Sequence, residues 1–341
     1  MNIKLIFLII KYWKKLIYLY VIIMSYEDTA VLLLSHGSTL PYAEEVFKKI
    51  CAKFKAKTEF DAEVGYMKVA KPNLPQAIEI LKERNPNLKR IIATPVFLAA
   101  GIHTNIDIPI ILGLEPKEVD PRQPDGNYPE GHYLVGLEEV DFDGELDLLG
   151  PIGPNPKLLD IINNKISAAL EESELDEDAK TGVLLVVHGS RLNYSKEFIT
   201  DLFGQFEEQT DYPCDFGFME LVDPNIPTSI NKLTSENEVD RLVVVPVFIA
   251  PGAHTTRDIP TILGFIEDDG TGHHHHHHHD HDHEHTHDHD HGHSHSHGHH
   301  HHHHGHDDVK MEFEGEILYP DPICDDDILL EILEDMVKDA L

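Results

Sequence analysis

Cysteine is scarce in this chain, cations are outnumbered, and no apolar run is long enough to cross a bilayer. Cys51, Cys214 and Cys324 are far apart and form no C-x-x-C, so neither a disulfide framework nor a cysteine-held cluster is signalled, and a reducing cytoplasmic setting fits. Lys and Arg number 27 against 61 Asp and Glu, a formal net charge of -34. Phosphate binding needs a positive field, so the charge argues against nucleic acid and an anionic membrane surface as partners, and an acidic small molecule would have to be held by local cations. In residues 1–23 the mainly apolar stretches 3–10, which includes Lys4, and 16–23 are separated by Lys11, Lys14 and Lys15. Each stretch falls far below the roughly 18 residues of a spanning helix, and no small-residue cleavage site is present. Residues 1–23 therefore read as an N-terminal extension, either upstream sequence from a misplaced start or a weak peripheral anchor. Nucleotide and hydrolase motifs are missing as well. There is no G-x-x-x-x-G-K, no G-x-G-x-x-G and no G-x-S-x-G, so Ser35, Ser38 and Ser190 do not read as nucleophiles and HGS alone is a weak phosphate turn.

What the chain does contain is one passage written twice. VLLLSHGSTLPYAEEVFKKI from Val31 returns as VLLVVHGSRLNYSKEFITDL from Val183, and ATPVFLAAGIHTNIDIPIILG from Ala93 returns as VVPVFIAPGAHTTRDIPTILG from Val244. His36 thus matches His188 and His103 matches His254, with the offset between copies changing by a single residue. A period of this length implies two homologous domains, not a solenoid. The stretch following Val140 also matches the one following Met311, so the two ends align too. A first domain over 24–178 and a second over 179–341 follow, each large enough to bury a core. In each half short apolar runs alternate with helical patterns: strands at 31–34, 62–67 and 90–98, helices at 41–55 and 74–84, and a third helix that Asp107 caps. The second half repeats this with strands at 183–187, 216–221 and 241–249, helices at 194–208 and 226–234, and a further helix from Asp258. The expected fold class is α/β, two tandem homologous domains, each a parallel sheet flanked by helices, with the active cleft between them.

The halves differ in one loop. Residues 115–139, rich in Pro, Gly and acids, are replaced in the second half by 266–310, where residues 273–306 hold 23 of the chain's 28 histidines. Such a segment has almost nothing apolar to bury and is expected to be a disordered loop. Imidazole suits Ni, Co, Cu and Zn, and the interspersed carboxylates favour a dication. His273, His279, His285, His291, His299 and His304 stand for this accessory metal-binding tract, a reservoir; low complexity without a role is the alternative. An engineered tag would sit at a terminus and would not alternate Asp-His, Glu-His and Ser-His.

In a doubly wound sheet, ligands bind at the carboxyl ends of the strands. His36, Lys68 and His103 follow strands one, two and three of the first half; His188, Glu220 and His254 follow those of the second. If the halves pack edge to edge, the cleft holds four histidines and one carboxylate. Any one histidine alone could be an ordinary turn residue. Recurrence of both in both halves argues otherwise.

The ordered motifs HGS, then GFME-x-x-x-P, then PVF-x-x-x-G-x-HT-x-x-DIP resemble the CbiX-type class II chelatases, the sirohydrochlorin cobaltochelatases and their nickel-inserting archaeal relatives, over residues 30–113 and 182–264. The likeness is to the long, two-domain form. It implies a lyase that inserts a divalent metal, Co2+ first, into sirohydrochlorin, a flat carboxylate-rich tetrapyrrole, on the route to cobalamin. Nickel insertion toward coenzyme F430 and iron insertion toward siroheme are the alternatives, and a non-enzymatic His-rich metal storage or chaperone protein is an alternative of another class. By that resemblance His188 and His254 are the working pair, as metal ligands, bases or both, and Glu220 assists. His36 and His103 match the same motifs, but Lys68 stands where the acid should be, so one active face, built by the second half, is expected. Lys68, Lys71, Arg191 and Arg257, with Ser38 and Ser190, are expected to bind substrate. The metal is a substrate, no tightly bound cofactor is expected, and the fused pseudo-dimer is expected as a monomer, with a dimer as alternative.

Overall fold

The structure, a computed structural model, describes residues 28–190, 192–267 and 309–341, together with Trp13. The rest of the N-terminal extension, Arg191 and the whole histidine tract lie outside the described residues.

The first half runs β1 (Thr29–Ser35), α1 (Pro41–Lys57), β2 (Asp61–Tyr66), α2 (Leu74–Arg84), β3 (Arg90–Pro95), a wide π-helical turn (His103–Asp107) leading into α3 (Ile108–Ile111), β4 (Glu145–Leu148) and α4 (Lys157–Glu171). The second half repeats the order: β5 (Thr181–Val187), α5 (Asn193–Glu207), β6 (Cys214–Phe218), α6 (Ile226–Glu236), β7 (Arg241–Pro246), a π-turn (His254–Asp258), α7 (Ile259–Ile262), β8 (Glu316–Leu318) and α8 (Asp327–Asp339). Local chemistry sets the helix starts. Asn73 accepts from the Gln76 N–H in a reciprocal capping box, Asn225 accepts from the Thr228 N–H, and a proline opens α1, α2 and α6, where a missing N–H costs nothing.

The strands form two four-stranded sheets, ordered β2-β1-β3-β4 and β6-β5-β7-β8, with every pairing parallel. Parallel sheets are covered on both faces, which is why β1 and β5 are unbroken apolar runs. Their alternation assigns the faces. Val31 and Leu33, like Val183, Leu185 and Val187, enter one core shared by both halves. Ala30, Leu32 and Leu34 pack under α2, and Leu184 and Val186 under α6, in separate clusters. The last helices are exchanged: α4 packs on β7 of the other sheet, and α8 packs on β3, α1 and α4. Arg90 reaches across to the Ala340 carbonyl at 2.8 Å. In each sheet the chain leaves the first strand in one direction for the second and returns on its other side for the third. The crevice beyond the carboxyl ends of β1 and β3, and of β5 and β7, is therefore a topological switch point.

Three expectations need correction. The third strands end at Pro95 and Pro246, not at residues 98 and 249, because the Phe97 and Leu98 carbonyls accept from Ile152 and Gly153, and those of Phe248 and Ile249 from Ile323 and Cys324, outside the strand ladder. The second strand of the second half, expected at 216–221, is β6, shifted toward Cys214 and ending at Phe218, where the chain turns. Asp107 caps no helix; its side chain makes no capping bond to α3 and faces His103 instead.

Candidate active site

Each site histidine is placed by backbone constraints present in both halves. After β1 the chain makes a tight turn at Gly37 (φ +87°), and after β5 at Gly189 (φ +96°). The β2 and β6 edges continue alongside: Lys68 N–H donates to the His36 carbonyl at 2.9 Å and Glu220 N–H to the His188 carbonyl at 3.1 Å. That bond sets Lys68 beside His36 and Glu220 beside His188. After β3 and β7, buried Thr104 and Thr255 accept from the Gly101 and Gly252 N–H groups at 2.9 Å each, which fixes the start of the π-turns. Ile108 N–H and Ile259 N–H close those turns on the His103 and His254 carbonyls. Such bulged helical turns concentrate at functional sites.

In the second half the two imidazoles meet. His188 Nε2 lies 3.2 Å from His254 Nε2, and Glu220 Oε1 lies 3.5 Å from His188 Nε2. The other ring nitrogens are occupied: His188 Nδ1–H donates to the Gly189 carbonyl at 2.9 Å, and His254 Nδ1–H to Asp258 Oδ2 at 2.8 Å. A neutral imidazole that donates from Nδ1 keeps a lone pair on Nε2. Two such lone pairs facing each other at this distance repel unless a proton or a cation lies between them, so the pair is poised to take either. Arg257 engages Asp258 Oδ1 through Nε at 2.9 Å and Nη2 at 2.8 Å. His188, His254 and Glu220 are each about one-third exposed. Among the described residues no three His, Cys, Asp or Glu side chains already form a metal cage; the second half offers an open imidazole pair with a carboxylate alongside.

The first half repeats the frame with different chemistry. The His36 and His103 rings are 4.9 Å apart between centroids, His36 Nδ1–H donates to Gly37, and His103 Nδ1 pairs with Asp107. The His36 ring lines the cavity and is exposed to solvent there, while protein packs around its base. That desolvation, then the charges of His103 and Lys68, pulls its pKa down to about 4. Asp107 is fully buried; burial works to raise its pKa, but bonds from His103, Arg122 and Tyr133 outweigh this and hold it at about 2. Arg122, Tyr133 and Tyr128 come from the loop of residues 115–139, which folds over this pair; Tyr133 hydroxyl donates to Asp107 at 2.7 Å, and Lys68 Nζ lies 3.7 Å from the Tyr133 ring centre. Glu118 of the same loop accepts from the Tyr194 hydroxyl of α5, tying the loop to the other half.

All four histidines line one cavity of about 780 Å³ between the halves, together with Ser38, Ser190 and Arg122. That volume is in the range of small-molecule sites. Its second-half wall includes Leu192, Phe198, Leu221, Phe248 and Ile249. Lys71 is exposed and lies outside the cavity lining, and Arg257 is engaged with Asp258. Sequence reasoning did not find the histidine-orienting carboxylates Asp107 and Asp258, although H-x-x-x-D at helical spacing occurs in both copies. Arg122, Tyr133 and Glu118 gave no signal, since their loop has no counterpart in the repeat.

Comparison with known proteins follows this duplication. Among curated sequences the chain is similar to the sirohydrochlorin cobaltochelatase of Methanothermobacter thermautotrophicus, 41% identical over 170 residues that cover 50% of this chain and 99% of that one. It is similar also to that of Methanopyrus kandleri, 39% identical over 160 residues covering 47% and 96%. Against that of Methanocaldococcus jannaschii it is 48% identical over 88 residues, 26% of this chain and 61% of the relative. Among solved structures, SirB from Bacillus subtilis with Fe3+ superposes with a TM-score of 0.58 at 13% identity, covering 92% of this chain and 95% of that one. SirB of the subspecies spizizenii in complex with cobalt gives 0.54 at 13% identity over 92% and 94%. These two likenesses speak to the fold. The CbiX family profile matches residues 30–169 and again 182–340. Two matches that together span nearly all the described fold leave no ambiguity: the chain belongs to the CbiX family.

Proposed function

We propose that this chain is a chelatase that inserts Co2+ into sirohydrochlorin, a lyase of the cobalamin route acting in the cytoplasm as a fused pseudo-dimer. The observation that carries the reading is the pair of imidazole Nε2 atoms 3.2 Å apart in a cavity between the halves; the names of the relatives give the substrate and the metal. Metallation removes two pyrrole N–H protons while a hydrated dication sheds water, so it needs bases that stay neutral near pH 7 and tolerate contact with a borderline metal. An ion bonded to both Nε2 atoms at roughly 2.1 Å would subtend about 100° between them, compatible with tetrahedral or octahedral coordination. In this reading Glu220, 3.5 Å from His188 Nε2, completes the shell or takes a pyrrole proton. Asp258 keeps the His254 tautomer, and Arg257 holds Asp258. An open site suits a metal that must be given up.

The second half is the working face in this reading. His36, drawn down to a pKa of about 4, is a poor proton acceptor, and Lys68 repels a dication where Glu220 would attract one. The first half then grips the macrocycle, with Lys68 and Ser38 toward the substrate carboxylates and Ser190 opposite. The tract 273–306 serves as a metal reservoir joined to the working half, raising the local metal concentration.

Anaerobic assay of the purified chain with sirohydrochlorin and equal Co2+, Ni2+ and Fe2+ tests both activity and metal choice. A His188→Ala, His254→Ala double variant is expected to lose metallation by at least about a hundredfold, the usual scale for removing acid–base groups, and wild-type turnover in it would sink the assignment. Deleting 273–306 should leave turnover intact at excess free metal. Loss of all activity there would favour a storage protein.

A further inference from the structure

Both halves turn sharply just after β2 and β6. Ala70 N–H donates to the Lys68 carbonyl at 2.6 Å and Val222 N–H to the Glu220 carbonyl at 2.9 Å. Val69 and Leu221 are thus the middle residues of three-residue turns, with φ of +52° and +71°. A γ-turn with positive φ at its centre is rare and strained, and a bulky or β-branched residue there is an outlier that Gly or Asn would avoid. The backbone shape has a clear purpose. It presses the Lys68 and Glu220 carbonyls against Gly37 and Gly189 and so sets both side chains beside their histidines.

That purpose does not account for the side chain Leu221 carries. Leu221 is 36% exposed, lines the cavity, and stands immediately after Glu220. Val69, in the equivalent turn, is 70% exposed and lies outside the cavity lining. A leucine in a strained, solvated position lowers stability twice over, once in the backbone and once by leaving apolar surface in water. Strained outliers of this kind concentrate at ligand sites, where the ligand supplies the missing contact. The wall continues from Leu221 with Leu192, Phe198 and Ile249, an apolar surface suited to the face of a flat conjugated ring whose charged groups lie at its rim.

We propose that Leu221 is a specificity-determining contact for a planar macrocycle: its side chain packs on the ring and holds the ring centre within reach of His188 and His254. This rests on the chelatase reading and names the residue that seats the substrate. Since the contact forms with the free macrocycle, it acts on binding more than on the chemical step.

The test uses the full chain and metal-free sirohydrochlorin, with Kd read from the change in its absorbance and with steady-state metallation in parallel. Leu221→Gly is expected to raise Kd and KM by about tenfold, the loss of a partly buried leucine contact, with kcat within about twofold. Its thermal midpoint should stay level or rise, because glycine relieves the positive φ. Leu221→Met, which keeps the apolar bulk, should bind as the wild type does, and Val69→Gly should leave Kd unchanged. Wild-type binding in Leu221→Gly, with wild-type activity in the parent chain, overturns this inference alone, as does an equal rise in Kd from Val69→Gly. A parent chain that neither binds nor metallates sirohydrochlorin overturns the chelatase reading and this inference with it.

Discussion

A Cβ added at Gly189 would stand 2.0 Å from the Glu220 carbonyl oxygen, and one at Gly37 1.9 Å from that of Lys68. A Cβ has no rotamer, so alanine must push the two turns apart, and both glycines also hold φ values that L-residues resist. Gly189→Ala is expected to lose about 1–3 kcal/mol, from φ strain and overpacking, and to move Glu220 away from His188. Gly37→Ala should lose a similar amount by urea unfolding. If the second half is the working face, only Gly189→Ala should depress metallation well beyond its loss of folded protein. Asp258 offers a second residue-scale check. An orienting carboxylate behind a histidine typically matters by about 10–100-fold, so Asp258→Asn should cut the metallation rate by that much while the midpoint scarcely moves; an unchanged rate would reduce Asp258 to a surface partner of Arg257. The histidines and glycines were legible because they recur at fixed places in two copies. The carboxylates were not, because an Asp at the start of a helical pattern reads first as a cap, and only the wide turn sends its side chain to the imidazole four residues back.

At the scale of elements, the loop of residues 115–139 makes the halves unequal. Arg122 is held by Asp107, Asp120 and Tyr133 at once, and bonds from Asp120 and Asp107 raise its pKa against the opposing effect of burial. Asp107 depends on it. Removing one member of a buried ion pair strands the other, at a typical cost of about 3–5 kcal/mol, so Arg122→Gln should be among the most destabilising single changes in the first half, measured by chemical unfolding. Tyr194→Phe, which removes the partner of Glu118 at the other end of the loop, should cost no more than about 1.5 kcal/mol, since Glu118 stays bonded to Asn105 and open to water. A cost for Arg122→Gln as small as that would mean that Asp107 finds another partner. The sheets, their helices and the carboxyl-edge placement of the histidines followed from apolar periodicity in the sequence. The fold of this loop did not: its composition suggested only irregular chain, and nothing local shows that Arg122 and Tyr133 return to a carboxylate upstream.

For the whole molecule, the repeat suggests two bodies with two cores, and the packing adds to each half's own cluster a third core shared between them. Val31, Leu33 and Ile92 of the first sheet and Val183, Leu185 and Val243 of the second belong to a single buried cluster, closed by α4 and α8, each lying on the sheet of the other half. Surface ion pairs such as Lys53–Asp325 and Lys57–Asp327 cross the same boundary, but exposed pairs contribute little. The alignment of the cavity therefore rests on apolar packing, and neither half can lose its last helix without exposing the other's sheet. Leu329, Ile332, Leu333 and Val337 of α8 are almost wholly excluded from solvent. Truncating one of them opens a cavity in the common core, at a cost of about 2–5 kcal/mol for a leucine to alanine change. Calorimetry of the full chain is expected to give one cooperative transition for both halves, and Leu333→Ala should shift that whole transition downward without splitting it. Two resolved transitions, with only the later half of the chain responding to Leu333→Ala, would mean that the halves fold independently and that the cleft is held by contacts much weaker than this core.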